Sequence, residues 1–174
     1  MPAGLSMKEL TIRTTRRFPP PAAKAWSLIC NSRMDGSSTL LFKLGVPQPL
    51  RCEIPEGQGG VGCERECVSD QGVVHQRILI WEPEKCLSFR MERTDLSFQR
   101  YVREIVERFD LVATYAGVEV TRTTRVWTKG RWQPLKQLAL FVSLKQVHQY
   151  VFQNWLKTAK LGATLPESTS PTPT

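Results

Sequence analysis

Histidine is scarce in this chain: His75 and His148 are the only two among 174 residues. So low a count leaves no Ser-His-Asp or Cys-His arrangement legible by spacing, and no second Cys/His pair completes a zinc set. Long apolar runs are missing too. None reaches the roughly 18–20 residues that a bilayer-spanning helix needs, so no stable membrane insertion is expected. The opening residues MPAGLSMKELT carry no secretory apolar region, which gives a cytoplasmic expectation. The glycine-rich EGQGGVG lacks the Gly-Lys-Ser/Thr ending of a nucleotide-binding loop and reads as a hairpin turn.

Cysteine is present in an odd number, five: Cys30, Cys52, Cys63, Cys67 and Cys86. An odd set without a signal peptide argues for reduced thiols rather than a disulfide framework. Cys63 and Cys67 share a strand face at a spacing poor for joint metal ligation, so neither metal nor cofactor is expected. No spacing marks Cys30 or Cys67 as a nucleophile. Basic clusters are absent as well. The net charge is +8, but Arg and Lys alternate with Glu and apolar residues, as in CERECV and YVREIVERF. No basic stripe or reading motif supports a nucleic-acid partner, and the charge implies only nonspecific attraction to anions.

What is present is one long helical pattern over residues 132–160, WQPLKQLALFVSLKQVHQYVFQNWLKTAK. Leu140, Phe141, Leu144, Val147, His148, Val151, Phe152, Trp155 and Ala159 recur at steps of three and four, which places them on one stripe. Pro134 suits the first turn and Gly162 the stop. The run would extend roughly 40 Å at 1.5 Å per residue. Its broad apolar face demands a large concave partner.

The preceding chain supplies strands. Residues 8–18 alternate with period two and end at Pro19, Pro20 and Pro21. AAKAWSLIC reads as a short helix, and a second helical piece covers 38–44. Strands follow at about 50–54, 61–68, 73–81, 86–93, 101–114 and 118–127, joined by tight turns. This order predicts an α+β domain over residues 8–161, a curved antiparallel sheet of about six to seven strands around the last helix. Residues 1–7 read as a flexible start, and the Pro/Ser/Thr-rich 162–174 as a disordered tail.

FPPPAAKAWSLI after the first strand, GVGCERECVSDQGVVHQRILIWEPEKCLSFRM in the middle, and FDLVATYAGVEVTRTTRVWTKGRWQPL before the final helix resemble the SRPBCC superfamily. These are helix-grip proteins that include the birch-pollen allergen, START-like lipid-transfer domains and polyketide cyclase/dehydrase-like proteins. The resemblance covers about residues 10–160. It implies a hydrophobic or amphipathic small molecule held between sheet and long helix, and it fixes no catalytic residue. The usual Gly-Gly before the last strand is here Ala116-Gly117.

Strand alternation nominates the lining. Arg103 and Glu107 share parity with Tyr101, Ile105, Phe109 and Leu111. Arg122 goes with Val118, Val120 and Val126, and Arg65 with Val61, Cys63 and Cys67. Four ionisable groups do not belong in a closed core. Either a wet cavity accepts them or they pair with one another. His148 lies mid-stripe and is either a hydrogen-bonded core residue or a proton donor facing the cavity. Phe152 and Trp155 share its stripe, whereas His75 falls at the surface or rim.

The first functional reading is a carrier or sequestering module for a small hydrophobic or amphipathic molecule, its acidic group met by Arg65, Arg103 or Arg122. The second is a cyclase/dehydrase-like enzyme in which His148 or Glu107 moves a proton. The third is an interaction protein with a vestigial pocket.

Overall fold

The computed structural model describes residues 9–37, 39–54, 59–130 and 133–161. The first strand, β1 (Glu9–Phe18), buries Ile12, Thr14 and Phe18 and turns the intervening residues to solvent. The triple proline removes three backbone donors and stops the strand. Helix α1 (Ala22–Cys30) then buries Ala25, Ile29 and Cys30. Next come β2 (Ser32–Arg33), α2 (Leu40–Lys43), β3 (Pro49–Glu53), β4 (Glu64–Ser69), β5 (Val73–Glu82) and β6 (Cys86–Thr94). A 3₁₀ turn (Ser97–Arg100), β7 (Val102–Thr114), β8 (Gly117–Thr128) and α3 (Gln133–Leu161) complete the chain.

The strands form a single eight-stranded sheet in the order β1-β8-β7-β6-β5-β4-β3-β2, with every neighbouring pair antiparallel. Short turns join β4 to β5, β5 to β6 and β7 to β8, while β1 crosses over to flank β8 in unbroken register from Glu9↔Trp127 to Phe18↔Val118. Gly117 makes that flank possible. Its φ is +139°, and a Cβ there would collide with the carbonyl oxygen of Phe18.

Helix α3 lies in the concave side of the sheet. Its second half is well covered: Tyr150, Val151, Phe152, Trp155 and Ala159 join Phe18, Ile29, Phe89 and Phe109 in the core. Aromatic contacts bind the layers, with Phe152 6.0 Å from Phe18, and Trp155 5.7 Å from Phe109 between ring centroids. The first turns overhang the sheet, so Phe141 is 42% exposed although it shares the stripe with Phe152.

Several expectations need correction. The sheet has eight strands rather than six to seven, because Ser32 and Arg33 pair with Cys52 and Arg51. Strand β4 begins at Glu64, and Val61 is 69% exposed instead of facing inward. The second helix is only the turn Leu40–Lys43. Ser38, Trp132, the stop at Gly162, the start 1–7 and the tail 162–174 lie outside the described residues.

The cysteines differ too. Cys52 and Cys67 are directly opposed on β3 and β4 and form a disulfide, while Cys30, Cys63 and Cys86 are free. Cross-strand register brings the two sulfurs together, and an odd total does not prevent one pair from forming.

Candidate functional site

Between the concave sheet and the cavity-facing side of α3 lies a cavity of about 360 Å³. Leu140, Leu144, Val147 and Val151 of α3 form its apolar roof. The loop from Leu44 to Pro49 and the 3₁₀ turn with Phe98 close its flank. Its polar floor consists of Arg65, Gln76, Glu107 and Arg122, contributed by β4, β5, β7 and β8. The Cys52–Cys67 disulfide lies in the same wall.

The pleat places these polar groups. Phe109 sits opposite Arg122 and Glu107 opposite Thr124, so Glu107 and Arg122 are diagonal neighbours on the inner face. The guanidinium donates from Nε to Glu107 Oε2 at 3.0 Å and from Nη2 to Oε1 at 2.8 Å. Both side chains are about nine-tenths buried, at 9% and 10% exposure. The Arg122 guanidinium also lies 5.5 Å from the Phe109 ring centroid. This two-pronged pair engages two nitrogens of Arg122 and both carboxylate oxygens of Glu107.

Arg65 is differently placed. It is 2% exposed, and its hydrogen bonds go to uncharged acceptors. Nη1 donates to Gln76 Oε1 and to Cys67 Sγ, and Nη2 donates to the Ile29 carbonyl at 3.0 Å. Nε has no partner. The guanidinium rests 4.5 Å from the Phe89 ring centroid. Burial pulls its pKa down to about 10, partly offset by the nearby Glu107 carboxylate.

His148 is fully buried between two threonines, with Nε2 2.8 Å from Thr124 Oγ1 and Nδ1 3.0 Å from Thr14 Oγ1. Burial, then the charges of Arg122 and Lys145, pushes its pKa down to about 2, so the ring is neutral at pH 7. It belongs to the seam between α3 and strands β1 and β8 and does not line the cavity. Phe152 likewise packs in the core beside it. Trp155 does reach the cavity wall, and its indole Nε1 is buried without a partner.

Thus Arg65, Glu107, Arg122 and Trp155 converge, whereas Arg103, His148 and Phe152 do not. Arg103 corrects the alternation directly. A bulge between Val102 and Glu104 shifts the register, so Val102 turns inward and Arg103 faces solvent beside Arg90 and Glu92. Tyr101, outside the strand, is 43% exposed. Sequence reasoning missed Gln76, although its parity with Val74 and Ile78 pointed inward. It also missed the apolar flank from 44–49, whose position no periodicity signals.

On the opposite face of the sheet, Glu64, Glu66 and His75 bring potential ligand atoms within 4.8 Å of one another. His75 Nδ1 is 3.1 Å from Glu66 Oε1, while Arg77 and Arg93 approach the same group at 4.0 and 3.3 Å. Arg77 is the counterion of Glu64 and Arg93 lies against the His75 ring, so the cluster is already set among cations.

No protein-family model matches the chain, and no curated protein sequence matches it. Solved structures do. The Zhui aromatase/cyclase from Streptomyces sp. R1128 superposes with a TM-score of 0.64 at 13% identity, covering 93% of this chain and 100% of that one. Norcoclaurine synthase of Thalictrum flavum, a point mutant solved with a transition-state analogue, gives 0.60 at 14% identity over 92% and 99%. Ara h 8.0201 gives 0.59 at 19% identity over 88% and 99%. These are helix-grip proteins of the SRPBCC superfamily. The likeness is one of fold, and the fold of this chain is the helix-grip fold.

Proposed function

We propose that this protein is a carrier or sequestering module that holds one small hydrophobic or amphipathic molecule between the sheet and α3. The observation that supports it most is the shape and chemistry of the 360 Å³ cavity: an apolar roof over a few convergent polar groups. That is the composition typical of small-molecule sites, which fall between roughly 300 and 1,000 Å³. A cyclase/dehydrase-like activity is less well supported. Its two proton-transfer candidates are engaged, His148 with two threonines outside the cavity and Glu107 with Arg122.

The test is native mass spectrometry of the purified protein together with titration of the neutral fluorophore Nile red. Saturable binding of one probe per chain is expected, and Leu144→Trp, which fills the cavity from α3, should abolish it. Failure to bind, or binding that Leu144→Trp leaves intact, overturns the reading. Turnover of a bound molecule, in place of its recovery unchanged, would favour the enzyme.

A further inference from the structure

The buried charges of the cavity floor do not balance. Among the described residues, the buried ionic side chains are Arg65, Arg122 and Glu107, and His148 is buried but neutral. Two guanidiniums against one carboxylate leave one positive charge. Glu107 is committed to Arg122 by two hydrogen bonds, so the surplus resides at Arg65. Of the other groups that act on Arg65, Arg122 adds a like charge, and Cys30 stays a neutral thiol because burial raises its pKa to about 11. A buried charge without a counterion is costly, and native interiors pair or neutralise such groups. Among the described residues no carboxylate hydrogen-bonds to Arg65, and Glu107 offsets its charge only through space. Arg65 keeps an unpartnered Nε, and Trp155, on the facing helix and in the same cavity wall, keeps an unpartnered Nε1.

We propose that the natural ligand is a monoanionic amphipathic acid whose carboxylate-like head is the missing counterion of Arg65, its apolar body lying under Leu140, Leu144, Val147 and Val151. The inference rests on the reading of the cavity as a ligand site and adds the charge of its occupant. A single negative charge closes the balance. A neutral ligand leaves Arg65 uncompensated, a cation doubles the surplus, and a dianion reverses it. Phe89 and Gln76 hold the guanidinium in place before a ligand arrives, so little side-chain freedom is lost on binding.

The test uses a matched pair on the full chain. Dodecanoate and dodecanol share one apolar body and differ in the head, and each is titrated to displace bound Nile red. Physiological salt screens the exposed basic surface. Dodecanoate is expected to displace the dye at a concentration about tenfold to a hundredfold lower, the factor expected for a charge-assisted hydrogen bond to a buried group. In Arg65→Met, which keeps the length and loses the charge, the two should converge. Equal displacement by the pair in the wild-type protein overturns the proposal, and this holds even if Arg65→Met fails to fold. An acid preference that survives in Arg65→Met overturns the assignment to Arg65. Absence of Nile red binding overturns the ligand site itself, and this proposal with it.

Discussion

Glu107 and Arg122 illustrate what burial does to an ion pair. Each would be expensive alone, and together they are tolerated because each neutralises the other through two hydrogen bonds. Replacing Glu107 by Gln leaves Arg122 buried and adds to the surplus at Arg65. It is expected to destabilise the protein by about 3 kcal/mol, the scale for breaking a buried pair on one side. Adding Arg122→Met should recover much of that loss. Urea unfolding midpoints measure both, and a loss under about 1 kcal/mol would mean that water already shares the pair. His148 gives a pH signature. The unfolded chain protonates this imidazole below about 6.5, whereas the folded protein resists down to about 2. The unfolded state therefore binds more protons in that window, and stability falls as pH drops below about 6.5. The slope is about 1.4 kcal/mol per pH unit for one proton. Unfolding at pH 7, 6 and 5 should show stability falling with a slope that approaches this value below about pH 6, and His148→Gln should flatten it. An unchanged slope in that variant would refute the assignment. At this scale the sequence was half legible. Alternation on β4, β7 and β8 correctly turned Arg65, Glu107 and Arg122 inward, but one extra residue at the β7 bulge sent Arg103 outward, and bulges leave no periodic trace.

Helix α3 shows that a periodic stripe and a buried stripe are different things. The spacing of Phe141, His148, Phe152 and Trp155 was clear from composition and period alone. How far the sheet reaches along the helix was not, because that depends on strand length and curvature. Two phenylalanines on one stripe should accordingly respond differently. Phe152→Ala removes a ring that is 1% exposed and should cost about 3–5 kcal/mol. Phe141→Ala, at 42% exposure, should cost about 1 kcal/mol or less. Thermal or urea unfolding separates the two, and equal losses would show that the first turns of α3 are covered in solution. Among the smaller elements, β2 escaped notice because two residues carry no alternation to detect.

For the molecule as a whole, the element order was enough to expect a curved antiparallel sheet around the last helix, since no other partner could cover so wide an apolar face. The cavity was foreshadowed by inward charges that a closed core would reject. Its volume, its flank from 44–49 and the partner of each ion were not, because they arise from register and curvature rather than from pattern. The disulfide belongs here too. Cys52 and Cys67 are 15 residues apart, and only the pairing of β3 with β4 sets them face to face.

The crossover of β1 has a consequence for how the chain matures. Strand β1 leaves the ribosome before the rest of the sheet, yet its neighbour is β8, and Thr15 waits for Thr121, 106 positions later. Until β8 has been made, this edge has nothing to join. Its last anchor, the bond from Thr14 to His148, closes a span of 134 positions. Such distant pairings exact their loop entropy before they return any contact, so assembly is committed late, when the C-terminal rod arrives.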